Sequence, residues 1–159
     1  LINQGNKMRQ CYNPGNFKTY FNENMKDLGL PVPQTLFDNL NAAVANAGLV
    51  LDALETLGTG ATMAEVIKAT TGLEKFKVAA SLGASFYVGA VIGSIAVASG
   101  RSVGCGNRMS DMFVFLQKNN LAFDGWNSFY ARNPETLDKS SRFRVAYRSK
   151  ALVRSGVYA

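Results

Sequence analysis

Few residues in this chain have the types and spacing that catalysis needs. There is no histidine, which removes Ser-His-Asp and Cys-His catalysis and any histidine-ligated metal site. The acidic side chains are scattered, at Asp52/Glu55, Asp111, Asp124 and Glu135/Asp138. Gly104-Cys105-Gly106 has the outline of a nucleophile loop but lacks a base to activate it. Neither a phosphate loop nor a dinucleotide fingerprint is present. The two cysteines, Cys11 and Cys105, are too few for a four-cysteine zinc site; they make either one disulfide or two free thiols, depending on the redox compartment. No enzyme activity, cofactor or metal is expected on these grounds.

Another chemistry is better represented. Ser81, Ser85, Gly89 and Gly93 recur every four residues, Gly89-Ala90-Val91-Ile92-Gly93 is a GxxxG, and Ala79 with Gly83 forms a second line of small residues. Such stripes let two helices approach closely, which is how helices associate in lipid, where the hydrophobic effect gives no help. A helix-packing role in a membrane follows for Ser81, Gly83, Ser85, Gly89 and Gly93, with a homo-oligomer as the inserted form. The glycine pair should then matter more to activity than to folding. A second group is basic: Arg142, Arg144, Arg148, Lys150 and Arg154 are suited to anionic lipid headgroups. Nucleic acid is the rival partner, because Phe143 and Tyr147 interleave with the arginines. No RNP, helix-turn-helix or zinc-finger pattern accompanies them.

The elements that carry these residues read as helices. Phe17, Tyr20, Phe21, Met25 and Leu28 mark a helix over about 16–28, ended by Gly29 and the Pro31/Pro33 pair. Leu36, Leu40, Ala43, Ala47, Val50, Leu54 and Leu57 form a heptad-like seam on a helix over about 35–57. Gly58-Thr59-Gly60 closes it, and Gly58 and Gly60 form a candidate hinge. Thr62-Met63-Ala64-Glu65 and Thr71-Gly72-Leu73-Glu74 each fit a capping box. The second box opens a helix expected over about 72–100. Residues 78–100 of it, 23 in all, carry no charge, and as one helix they would span roughly 33 Å, about a bilayer's hydrocarbon thickness. Ser110-Asp111 should cap an aromatic helix over about 111–118. Asn133-Pro134-Glu135 should start another, and the basic tail from Arg142 favours a helix.

Composition agrees with a membrane habit. Apolar residues make up 47% and charged residues only 18%, below the usual quarter. Residues 1–77 carry seven basic and seven acidic side chains, residues 78–100 none, and residues 101–159 ten basic and four acidic. All the excess positive charge therefore follows the uncharged stretch, which suggests an anionic partner for the C-terminal third. Leu1-Ile2-Asn3-Gln4-Gly5-Asn6-Lys7 has no apolar run behind a basic start, so export by a route without a Sec signal is expected.

The two threonine-led caps and the run from Ala84 through Gly89-Ala90-Val91-Ile92-Gly93 to Ser94 resemble small pore-forming effectors of bacterial type VI secretion, over roughly residues 35–101. The resemblance implies delivery as cargo of that machine's tube protein. It implies insertion into a rival bacterium's inner membrane, ion leakage and depolarisation, and a cognate membrane immunity protein in the producer. The expected fold is one all-α domain over 1–159, a bundle around the central helix, with room for a small β element in the C-terminal third. In water the central helix must be covered, and the helix from Leu36 to Leu57 is the best cover by length and seam. The alternative function is a non-catalytic interaction module that keeps this helix buried permanently and binds an anionic partner through the basic C-terminal face.

Overall fold

The computed structural model describes residues 17–32, 36–58, 60–69, 82–103, 109–138 and 147–152. It is an all-α bundle, with no strand among the described residues. The elements are α1 (Phe17–Asp27), α2 (Leu40–Leu57), α3 (Met63–Ala69), α4 (Ala84–Val103), α5 (Met109–Lys118), α6 (Trp126–Arg132), a 3-10 turn η1 (Pro134–Thr136) and α7 (Tyr147–Leu152). α4 is the hub: α1, α2, α3, α5, η1 and α7 all pack on it. α1 makes the most extensive contact, ahead of α2. The expectation that α2 is the principal cover is thereby corrected.

Local chemistry sets most boundaries. Phe17, Phe21 and Met25 line the buried face of α1, with Leu28 just beyond it. Gly29, at φ 75°, then ends α1 in a Schellman motif: its N–H donates to the Lys26 carbonyl at 2.9 Å and that of Leu30 to Met25 at 3.0 Å. Asn120, at φ 58°, ends α5 the same way, with Leu121 N–H on the Leu116 carbonyl at 2.8 Å. α2 starts later than its seam suggested because the Asn39 side chain caps it, accepting from Ala42 N–H at 2.9 Å. Its buried line is Ala43, Ala47, Val50 and Ala53, whereas Leu54 is half-buried and Leu57 exposed. The seam thus turns away from the core over the last turn. The first capping box is present: Thr62 N–H donates to the Glu65 carboxylate at 2.9 Å and Glu65 N–H to Thr62 Oγ1 at 3.4 Å. The second, at Thr71 and Glu74, lies outside the described residues.

Three expectations shift. The central helix begins at Ala84, not near 72, because Gly83 just ahead of it pairs with Thr62 in an isolated antiparallel bridge. It runs on to Val103, so its uncharged part is Ala84–Gly100, 17 residues. That is about 25 Å at 1.5 Å per residue, short of the hydrocarbon core. Among the described residues no helix is long and apolar enough to cross a membrane. Ser110 and Asp111 lie inside α5 rather than capping it. Pro134 begins a 3-10 turn instead of an α-helix, and Asn133 makes no side-chain cap there. The tail is helical at Tyr147–Leu152, as favoured.

Candidate functional site: the buried glycine-rich helix

From Ala84 to Gly100 every residue of α4 is buried except Ser85, Phe86 and Ser99, which are half-buried. An apolar helix can be covered all round only if its neighbours come close, and the small residues decide where they do. A methyl group built on Gly89 would run into the Phe129 ring of α6, far inside van der Waals contact. One on Gly93 would meet Leu137 Cδ2 at 3.2 Å and the Thr136 carbonyl oxygen at 3.4 Å. The GxxxG face is therefore filled by this chain's own α6 and η1. Ser85 borders a cleft, Gly83 lies in the bridge ahead of the helix, and Ser81 is outside the described residues.

Close approach also brings hydroxyls onto the helix backbone. Tyr130 Oη donates to the Gly89 carbonyl at 2.7 Å and Tyr147 Oη to that of Phe86 at 2.6 Å. Tyr87, on α4 itself, donates to the Pro31 carbonyl at 2.9 Å. A polar group removed from water must find such a partner. Burial pushes all three phenols well above their ordinary range; for Tyr147 the neighbouring Tyr130 and Glu135 add to it. Asn24 of α1 completes the polar set. Its Nδ2 donates to Ser94 Oγ at 2.8 Å and to the Thr136 carbonyl at 3.0 Å, joining α1, α4 and η1.

The residues at the start of α4 are also tied through the backbone. Met63 N–H donates to the Leu82 carbonyl at 2.9 Å, Ala84 N–H to Ala61 at 2.8 Å, and Gly83 N–H to Ala151 of α7 at 3.1 Å. These contacts satisfy donors that a helix start leaves open.

Of the basic residues, Arg148 is exposed and donates to the Gly29 carbonyl at 3.2 Å. Lys150 is held by the carboxylate of Glu135, a side chain only 3% exposed, and by Asn133 Oδ1 at 2.9 Å. It docks α7 onto η1 while keeping part of its length in water. Arg142, Arg144 and Arg154 lie outside the described residues, as do Cys11 and Cys105. Gly58, at φ 93° and ψ 167°, closes α2, with its N–H on the Leu54 carbonyl at 2.7 Å. Gly60 follows in the turn. Nothing lies within 4 Å of where a Cβ would sit on either glycine, so backbone angle rather than space selects glycine at 58.

Sequence reasoning missed a cleft of about 1130 Å³ between the end of α2, the first turn of α4 and the segment 120–133. Asp52, Glu55, Asp124, Arg132 and Lys150 border it beside Leu54, Phe86 and Phe129. No short motif marks it, because its walls come from distant parts of the chain. Among the described residues no cluster of His, Cys, Asp or Glu is placed to hold a metal ion. No family model matches the chain, and searches of curated proteins and of solved structures return no match either.

Proposed function

We propose that this chain is a secreted antibacterial toxin that permeabilises a target inner membrane with its glycine-rich helix, carried in water under a sheath of amphipathic neighbours. The observation that carries this reading is the burial of nearly all of an uncharged, glycine-bearing helical stretch, Ala84–Gly100, at the centre of the bundle. An apolar surface of that size has to be covered before it meets a membrane. Excess positive charge after the helix suits anionic headgroups. The reading requires rearrangement, since among the described residues no helix is long and apolar enough to cross a bilayer as it stands. Delivery by type VI secretion, a membrane immunity protein and self-association on insertion belong to the same proposal. Dye release from anionic vesicles tests it, with leakage expected at low protein-to-lipid ratio.

A second reading is favoured by one observation. The face bearing Gly89 and Gly93 is already filled by Phe129 and Leu137. A non-catalytic interaction module, with α4 buried permanently and an anionic partner on the basic face, has use for that packing and none for a bilayer. Such a module would bind anionic vesicles without releasing dye.

A further inference from the structure

We propose that the backbone clasp around Leu82, Gly83 and Ala84 is a latch that stops the central helix at Ala84, short of the full uncharged run; this rests on the membrane reading above. The uncharged run in the sequence begins at Val78, and α4 begins at Ala84. The two described residues just ahead of α4, Leu82 and Gly83, have backbone hydrogen-bonding groups engaged by other parts of the fold. Were the helix continuous, the Leu82 carbonyl would accept from Phe86 N–H, and the N–H groups of Gly83 and Ala84 would donate one turn back. Instead the Leu82 carbonyl takes Met63 N–H, Ala84 donates to Ala61, and Gly83 donates to Ala151. Two separate elements thus hold one point: the start of α3 on one side and α7 on the other. Glycine at 83 suits both states, having no side chain to place in either. Release of the clasp lets residues 78–100 become one uncharged helix of 23 residues, long enough to span.

The bridge supplies its own lock. Thr62 and Gly83 face each other as a non-hydrogen-bonded antiparallel pair, flanked by the Met63–Leu82 and Ala84–Ala61 bonds. Such pairs bring Cα atoms to about 4.5 Å, within the range a disulfide bridges. The test compares Thr62→Cys/Gly83→Cys, in a background of Cys11→Ala/Cys105→Ala, oxidised and reduced, with the wild-type protein. All are applied to vesicles of phosphatidylglycerol and phosphatidylethanolamine. Leakage from the reduced form, and its suppression by about tenfold or more in the oxidised form, is the expected result. Equal leakage from both forms overturns the latch and leaves the membrane reading standing. No leakage from wild type overturns the membrane reading, and the latch with it.

Amide exchange on the wild-type protein covers the case in which the double variant does not fold. Met63 is the first residue of α3, where a helix has no internal acceptor for it. Its N–H is held by the Leu82 carbonyl. Exchange at Met63 should quicken about tenfold or more on vesicles while Val91 stays protected. Unchanged protection of Met63 during leakage overturns the latch.

Discussion

At the scale of single residues, the glycines of α4 are set by what presses on them. Gly89 faces a phenylalanine that is itself wedged against Phe86, Phe123 and Tyr130. Those contacts hold the ring where it meets Gly89, and Gly89→Ala should destabilise the protein by about 1–3 kcal/mol, as overpacking does. Thermal melts check this, and Phe129→Leu in the same chain should recover part of the loss. An unchanged melting temperature in Gly89→Ala would show that the ring moves freely. The expectation that this glycine matters more to activity than to folding has to be tested beside these melts, because in the bundle it already packs against Phe129. Gly58 is constrained differently. Its φ 93° and ψ 167° lie in a region essentially closed to residues with a Cβ. Gly58→Ala should cost about 1–3 kcal/mol although the space around it is open. A chemical-denaturation midpoint equal to wild type would contradict that.

At the scale of elements, the buried stretch Ala84–Gly100 of α4 depends on remaining free of charge. Val91 is 2% exposed, midway along it. Val91→Asp would bury an unpaired carboxylate, with an expected loss of about 3–5 kcal/mol and of a cooperative melt. A cooperative melt with leakage intact would contradict both the burial and the membrane role of this segment. Much of the element plan was legible because its signals are local. Gly29 stops α1 through a left-handed turn, Thr62 and Glu65 cap α3 reciprocally, and α4 exists because its residues are apolar all round. What escaped was long-range. Nothing near Gly83 shows that Ala61, Met63 and Ala151 occupy the hydrogen-bonding groups around it and end the helix there. Nothing near Lys150 announces that Glu135, fifteen residues earlier, claims its ammonium. Ser110-Asp111 has a capping composition, yet α5 begins ahead of it at Met109. The cleft, assembled from four distant stretches, had no local signature either.

At the scale of the whole molecule, one apolar cluster runs through every helix, and three tyrosine hydroxyls are sealed within the bundle. Their phenols are raised above the ordinary value of 10.0 in the folded state. Unfolded, they ionise near pH 10; folded, they stay protonated. Their contribution to stability is therefore complete below about pH 10 and falls as pH rises beyond it, by about 4 kcal/mol per pH unit for the three together. Tyrosinate absorbance should show at least three of the six tyrosines ionising only as helical circular dichroism is lost. Ionisation of all six with the fold intact would contradict the burial. The same seal matters to the functional proposal, because a helix covered on every side reaches a bilayer only if the bundle opens. Dye release from vesicles of phosphatidylglycerol and phosphatidylethanolamine, with the purified wild-type chain, tests that claim most directly. The account predicts prompt release that depends on protein concentration; vesicles that bind the chain and keep their dye would contradict it and favour a module whose central helix never leaves the core.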